Sequence, residues 1–254
     1  MTRLLVIFLL LILMPSCRQR SKQSGNVHVG SNDSTKNVNN NNQTSFGDTL
    51  KLPVGFVLDS MITFDSARNV DIQIILPRDK GTTTFDKRVL MYMKQRLKNF
   101  RLYMDTLIQN DSSILQAAWG GFYVDPVSVY KDDKIVSYCF IISSDYPGAV
   151  HPFSEYYSFN YDFRRNKQLT FPDYFNIRSG QDSLTLISII NKAINQTNIA
   201  VEKLDNIDFN IEKDSIAFNF DDYEIAGYAD GIIKAKLAKE SLPLSRYIRN
   251  GILH

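Results

Sequence analysis

The chain has 254 residues, of which 44% are hydrophobic, 22% charged and 12% aromatic, and its formal net charge is +2. This composition is typical of a globular protein and excludes a chain that is disordered throughout. A charge balance this close to neutral implies no strongly basic face, so nucleic acid is not an expected partner.

The first segment has the pattern of a secretion signal. Arg3 precedes the apolar run at residues 4–14, which is too short to span a bilayer because roughly 20 apolar residues are needed. Cys17 directly follows Ser16, an arrangement that resembles a bacterial lipobox, in which the cysteine is acylated and becomes the first mature residue. We predict a lipoprotein signal peptide at residues 1–16 and a lipid anchor on Cys17. The alternative is an ordinary signal peptide with a chance cysteine.

The segment at residues 17–50 is rich in Asn, Ser and Thr and has few large apolar side chains. It cannot bury enough apolar surface to offset the entropy that ordering it would cost. We therefore predict a disordered tether that holds the folded part away from the lipid surface.

Cysteine and histidine are scarce. With Cys17 assigned to the anchor, Cys139 is the remaining cysteine, so no intramolecular disulfide is expected. Cys139 lies in the apolar run IVSYCFII, which is typical of a buried core thiol. Three histidines without a cysteine pair argue against an ordinary zinc site, and we expect neither a metal nor another cofactor.

The first half of the folded part is predicted to be two strands, a helix and two further strands. The strands at 54–65 and 70–77 come first, and we expect Pro77 to end the second. An amphipathic helix from about 84 to 109 follows, because apolar residues recur there every three or four positions. Its predicted buried stripe is Val89, Met93, Leu97, Phe100, Met104 and Leu107. Strand-like segments at 120–130 and 134–144 are joined by a polar turn.

The second half continues with a strand at about 157–163, where aromatic residues alternate with Ser158, Asn160 and Asp162. This alternation predicts one buried face. A helix over 182–195 is predicted to bury Leu184, Ile187, Ile190 and Ile194, and a hairpin turning near 213–214 precedes a last strand. Because the two main helices do not alternate regularly with strands, we predict an α+β fold, mainly antiparallel, in two consecutive α/β modules at 51–130 and 131–254.

Two kinds of residue could carry chemistry. His151 lies in the turn YPGAVHPF, where we expect a structural residue hydrogen-bonded to backbone, and no Gly-x-Ser-x-Gly elbow accompanies it. Four carboxylates, Asp221, Asp222, Glu224 and Asp230, are close enough in sequence to act as acid and base in a carboxylate-dependent hydrolase. The alternative, which we favour, is that these carboxylates form a solvated acidic loop. We therefore expect no catalytic residue and no enzyme.

The order of motifs from YPGAVHPFSEYYSFNYDFRRNKQLTFPDYF to DSIAFNFDDYEIAGYADGIIKAKL resembles the C-terminal module of the PdaC/RsiV-like extracytoplasmic proteins. The resemblance covers about residues 134–247. Gly148-Ala149-Val150-His151 departs from the family's Gly-Gly-Ala-His, and Asp222 and Gly227 stand where prolines are common. Such modules occur in anti-sigma factors that sense lysozyme and beside peptidoglycan deacetylase domains.

The resemblance implies a stand-alone lipoprotein in the bacterial cell envelope, with an extracytoplasmic part that binds a lysozyme-type protein or a peptidoglycan fragment without catalysis. Tyrosine supplies large amphipathic contact area, and carboxylates suit a basic partner. The alternatives are a cell-wall hydrolase and a purely structural envelope protein, and tyrosines buried in the core would argue against a binding site. The predicted ligand-binding residues are Tyr223, Glu224, Tyr228, Asp222 and His151.

Overall fold

A computed structural model describes residues 50–80, 83–117, 119–196, 198–205 and 207–249. The predicted signal peptide, the Cys17 anchor and the predicted tether up to residue 49 lie outside these residues. The described part belongs to one compact unit. Among its helices, none combines the length and apolar character needed to cross a membrane.

A six-stranded sheet with the order β1-β2-β3-β4-β5-β6 organises the first two thirds of this unit. All neighbours pair antiparallel except β2 and β3, which are parallel and joined through the helical segment between them. The prediction of a mainly antiparallel α+β fold is confirmed. The strands are β1 (Phe56–Asp65), β2 (Val70–Asp79), β3 (Gly120–Lys131), β4 (Ile135–Asp145), β5 (Phe153–Asp162) and β6 (Lys167–Gln168).

Helix α1 (Thr84–Asn110) covers one face of this sheet. Thr83 caps it in a reciprocal capping box: the Thr83 hydroxyl accepts from the Asp86 amide at 3.1 Å, and the Asp86 carboxylate accepts from the Thr83 amide at 2.9 Å. The predicted stripe is confirmed from Val89 to Met104, and Leu107 at its end is half-buried. The short helix α2 (Ile114–Ala117) follows.

A three-stranded antiparallel sheet, β7 (Asp208–Ile211), β8 (Ser215–Phe220) and β9 (Ile233–Ala238), forms the second layer. Helix α4 (Gly180–Ile194) packs against this sheet. The short helix α3 (Phe171–Tyr174) precedes α4, and the short helix α5 (Leu242–Ser245) follows β9. A second apolar core lies between these elements. Asn195, in the left-handed conformation, ends α4.

Strand β5 has both faces buried, so the prediction of one buried face is wrong. The aromatic face is buried, as predicted, and packs under α1, but Ser158, Asn160 and Asp162 are buried as well. The three-stranded sheet covers part of this polar face: the Asn160 amide donates to the Phe209 carbonyl at 2.7 Å. Hydrogen-bonded polar side chains can line a sheet-to-sheet contact without the penalty of unpaired burial.

Two smaller predictions are also corrected. Pro77 does not end β2, because β2 continues for two more residues and Pro77 pairs with Leu58 within the β1–β2 ladder. This pair lies beyond the last pair that β2 makes with β3, Ile74 with Val124. A proline is tolerated there because one side of the strand has no neighbour. Leu184 is exposed and Leu186 takes the buried position on α4.

The predicted module boundary at residue 130 falls inside the six-stranded sheet, at the end of β3, which forms a continuous hairpin with β4. The division of the chain into two modules at that point stays a prediction. Cys139 is a buried free thiol, as predicted.

Candidate functional site

The turn before β5 and the loop after β8 meet at one end of the molecule. Asp222 binds the first residues of β5 twice: its amide donates to the Ser154 carbonyl at 3.2 Å, and its carboxylate accepts from the Ser154 amide at 2.8 Å. Asp221 next to it accepts from the Tyr156 amide at 2.6 Å. These bonds hold the loop at residues 221–230 beside the turn at residues 146–152.

Three rings cluster where the turn and the loop meet. The imidazole of His151 lies on the ring of Tyr228, with centroids 3.5 Å apart and planes 16° from parallel. Tyr223 is the third member, with its centroid 5.8 Å from His151 and 6.0 Å from Tyr228. We call His151, Tyr223 and Tyr228 the ring platform.

Hydrogen bonds fix the orientation of the imidazole. Its Nδ1 lies 3.0 Å from the Pro152 carbonyl oxygen, and its Nε2 lies 2.6 Å from the Tyr223 hydroxyl. A carbonyl oxygen accepts only, so Nδ1 carries a proton and donates, and in the neutral ring Nε2 accepts from the hydroxyl. His151 therefore bonds to backbone, as predicted, and also positions a tyrosine that lies 72 residues away in sequence.

Both tyrosines of the ring platform are on the surface. Tyr223 is 56% exposed and Tyr228 is 37% exposed, so the alternative that they belong to the core is wrong. Tyr223 adopts φ of 67°, a left-handed conformation that is strained for a bulky residue. Such strain clusters at functional sites, where the surrounding bonds maintain it. The exposed apolar neighbours Val150 and Phe153 were not predicted as part of the site, although an apolar residue in a turn, as at Val150, indicates an exposed contact surface.

The carboxylates of the loop divide into two pairs, so the prediction of a solvated acidic loop is wrong for half of it. Asp222 is buried and Asp221 half-buried, and both accept backbone amides of β5. Glu224 and Asp230 are exposed. Asp222 therefore has a positioning role, whereas Glu224 and Asp230 present negative charge to solvent beside the ring platform.

Asp221 is the most perturbed of these carboxyls. Burial is the main cause that raises its pKa from 3.8 to about 7, and the neighbouring charges of Glu224, Asp208 and Asp222 add to the rise. The hydrogen bond from the Tyr156 amide acts in the opposite direction. A carboxyl with such a pKa holds its proton into the neutral range.

A buried polar network lies below the loop, between the two sheets, and no sequence pattern indicated it. Asp208 accepts from the Ser158 hydroxyl at 2.7 Å and from the Asn219 amide nitrogen at 3.1 Å. Burial raises the pKa of Asp208, while its hydrogen bonds from Ser158 and Asn219 act to lower it. Burial also raises the pKa of the Cys139 thiol beside this network. Ser158, Asn219 and Cys139 are buried, and Asp208 is half-buried.

A cavity of about 430 Å³ adjoins the far side of the loop. The loop contributes Ala226, Gly227 and Asp230 to its lining, and the segment after α4 contributes Asn195, Gln196, Asn198 and Ile199. Amide side chains of this kind both donate and accept hydrogen bonds. Within the described residues, no group of three or more His, Cys, Asp or Glu side chains is arranged to hold a metal ion.

Comparisons with known proteins identify one family. The model of the family described as "Protein of unknown function (DUF3298)" matches residues 177–240. This region contains α4, β7–β9 and the loop with Tyr223 and Tyr228, and it excludes His151. No curated protein matches the sequence.

Two crystal structures of DUF3298 family proteins are similar to this chain at 15% sequence identity. The protein from Bacteroides fragilis aligns over 78% of this chain and 94% of its own with a TM-score of 0.48. The protein from Pseudomonas aeruginosa aligns over 78% of this chain and 95% of its own with a TM-score of 0.49. The resemblance to the PdaC/RsiV-like proteins stays a prediction. The chain thus carries, at residues 177–240, a region that matches the DUF3298 family of unknown function.

Proposed function

We propose that this protein is a lipid-anchored binding protein of the bacterial cell envelope, tethered through Cys17, whose extracytoplasmic part captures a basic lysozyme-type protein without catalysis. The observation that carries the proposal is the ring platform: three clustered rings, two of them exposed tyrosines, held by hydrogen bonds at one end of the molecule.

The ring platform has the properties of an interface anchor. Tyrosine rings bury large amphipathic area and are enriched among the residues that dominate binding energy. The bonds from Asp222 to Ser154 and from Tyr223 to His151 order the rings before any ligand arrives. Preordered side chains lose less conformational entropy on binding, so more of the contact energy becomes affinity.

The charge of the surrounding loop favours a basic partner. Residues 221–230, DDYEIAGYAD, contain four carboxylates and no lysine or arginine. Glu224 and Asp230 are exposed, so they can attract a cationic surface. Lysozymes are generally basic, and the sign of the charge therefore agrees with the resemblance.

Calorimetric titration of the full chain with a basic lysozyme at low and high salt tests the proposal. We expect binding that weakens as salt rises, because exposed charges are screened. Glu224→Gln should weaken binding by about twofold to fivefold, because one exposed charge pair is worth at most about 1 kcal/mol. Gln keeps the oxygen that accepts from the Asp221 amide. Glu240→Gln, the same charge change at another exposed position, should bind as wild type. Absence of lysozyme binding would refute the proposed ligand.

The anchor is tested separately. Cys17→Ala should release the protein from the membrane fraction of producing cells, because the cysteine is the predicted acylation site. An unchanged membrane fraction would contradict the lipid anchor and would leave the ring platform proposal standing.

A carboxylate-dependent cell-wall hydrolase is the second candidate, and one observation favours it. The pKa of Asp221, raised to about 7, suits a general acid of glycoside hydrolysis. However, its Oδ1 already accepts from the Tyr156 amide, and the carboxyl is half-buried. Turnover of purified muropeptides that disappears in Asp221→Asn would favour the hydrolase over the binding protein.

A further inference from the structure

Strand β1 differs from the other strands at the edges of the two sheets. An exposed strand edge offers unpaired backbone groups to any extended chain, and proteins protect such edges with short strands, lysines, prolines or bulges. β6 has two residues and begins with Lys167. β7 has four residues, and β9 carries Lys234 and Lys236. β1 has ten residues and is paired on one side, with β2.

None of the usual protective devices is found in β1. Its register with β2 runs from Phe56 to Asp65 without a bulge, and it contains neither lysine nor proline. Its two charges are already paired within the molecule. Asp59 binds Arg78 at 2.9 Å, and Asp65 binds Arg101 at 2.9 Å. The strand therefore presents a long, regular edge whose carboxylates are already in ion pairs.

One face of β1 carries large apolar side chains that are exposed. Leu58, Ile62 and Phe64 lie on the same face as Ser60, because side chains two positions apart point to the same side of a sheet. All three are exposed, and Ile62 is 71% exposed. Large exposed apolar groups that cluster in this way mark interaction surfaces.

We propose that β1 pairs antiparallel with β1 of a second copy of this chain, about a two-fold axis at Ser60. A two-fold axis perpendicular to the sheet keeps each face on its own side, so the apolar faces of the two copies become continuous. In this register Leu58 lies opposite Ile62 of the second copy, and Phe56 lies opposite its Phe64. Opposed apolar side chains of this kind stabilise antiparallel pairs.

The strand is also electrostatically compatible with itself. Asp59 lies opposite Met61 of the second copy, so no two carboxylates oppose one another in the pairs from Phe56 to Phe64. A like-charged opposite pair would be destabilising. The pairing joins two six-stranded sheets into one. The pairing uses no residue of the ring platform, so its test is independent of the proposed function.

Cysteine cross-linking of the full chain, with Cys17→Ser throughout, tests the register. Ser60→Cys places two thiols face to face on the axis, and we expect a disulfide-linked dimer under mild oxidation. Thr63→Cys is the matched control on the same strand and is also exposed. Its two copies would lie about 20 Å apart at roughly 3.3 Å per residue, whereas a disulfide needs Cα atoms within about 7 Å. Absence of cross-linking at residue 60, or equal cross-linking at both positions, would overturn the proposal.

A second experiment measures the oligomeric state of the same chain, without engineered thiols, by sedimentation. Ile62→Lys installs a protective charge at the edge and should convert the dimer to a monomer. Met91→Lys is the matched control, because Met91 is 70% exposed on α1, outside the proposed contact, and it should remain dimeric. A wild-type chain that stays monomeric at every concentration would overturn the proposal, as would a dimer that Ile62→Lys leaves intact.

Discussion

Two ring stacks in this protein have similar geometry and different surroundings. Tyr92 and Tyr157 stack under α1 with centroids 4.0 Å apart and planes 25° from parallel, close to the values for His151 and Tyr228. The inner stack is joined to the apolar core by a third ring, Phe159, which contacts both Tyr92 and Tyr157 and is 4% exposed. The third ring of the outer stack, Tyr223, is 56% exposed. Stacking geometry alone therefore does not identify a binding site, whereas exposed ring faces do.

The largest effect on stability is expected from Phe159→Ala. Phe159 lies at the centre of the inner cluster, which is the inner stack together with the rings around Phe159. Phe159 is buried and contacts the rings of Phe85, Tyr92, Phe140 and Tyr157. Truncating a buried phenylalanine costs about 3–5 kcal/mol of unfolding free energy, because transfer energy is lost and a cavity remains. Urea denaturation should show this loss, and a change below about 1 kcal/mol would contradict the assignment of the inner cluster to stability.

An intermediate effect on stability is expected from Asp221→Asn, because Asp221 accepts a hydrogen bond that joins the loop to β5. The pKa of Asp221 is raised from 3.8 to about 7 in the folded protein, so the folded state binds this proton more tightly than the unfolded state does. The free energy of unfolding therefore falls as pH rises from about 4 to about 7. We expect this group to contribute on the order of 1–2 kcal/mol of that fall, after discounting for partial solvent screening.

The measurement is urea denaturation of wild type and Asp221→Asn at pH 5 and pH 8. Because asparagine keeps an oxygen for the Tyr156 amide and does not titrate, the variant should lose part of the pH dependence. Asp208 also has a raised pKa and titrates in the same direction, so the difference between the two proteins is the informative quantity. Identical pH profiles would contradict the burial of the Asp221 carboxylate.

The smallest stability effect is expected from Tyr223→Gly, which sharpens the contrast between the two stacks. Glycine tolerates the left-handed φ of 67° without strain, so the strain relieved offsets the lost stacking. We expect the unfolding free energy to change by no more than about 1 kcal/mol, while lysozyme binding weakens. Tyr228→Gly, at a position without positive φ, is the control and should lose more stability. A larger stability loss for Tyr223→Gly would show that the strained residue is held for folding.

Local patterns in the sequence were sufficient to predict most of the elements. The spacing from Val89 to Met104 defined α1, and alternation defined the aromatic face of β5. The second buried face of β5 could not be predicted, because Ser158, Asn160 and Asp162 have the polarity of a solvated face. Their burial depends on partners such as Asp208 and the Phe209 carbonyl, which the chain reaches only after another helix.

The candidate site was predicted as one set of ligand-binding residues taken from two motifs that are far apart in the sequence. His151 and the segment with Tyr223 and Tyr228 were both selected, but their contact was not, since no local pattern encodes a stack between residues so far apart. The same limit applied to the acidic loop. The four carboxylates are visible in the sequence. The burial of Asp221 and Asp222 could not be predicted from it, because their burial depends on the backbone amides of β5.

The most direct test of the central claim is the affinity of Tyr228→Ala for a basic lysozyme, measured by calorimetry beside wild type and Tyr103→Ala. Tyr103 is a matched control, because it is an exposed tyrosine on α1. If the ring platform is the binding site, Tyr228→Ala should lose at least about tenfold in affinity, about 1.4 kcal/mol, and Tyr103→Ala should bind as wild type. Equal affinity of Tyr228→Ala and wild type would contradict the account.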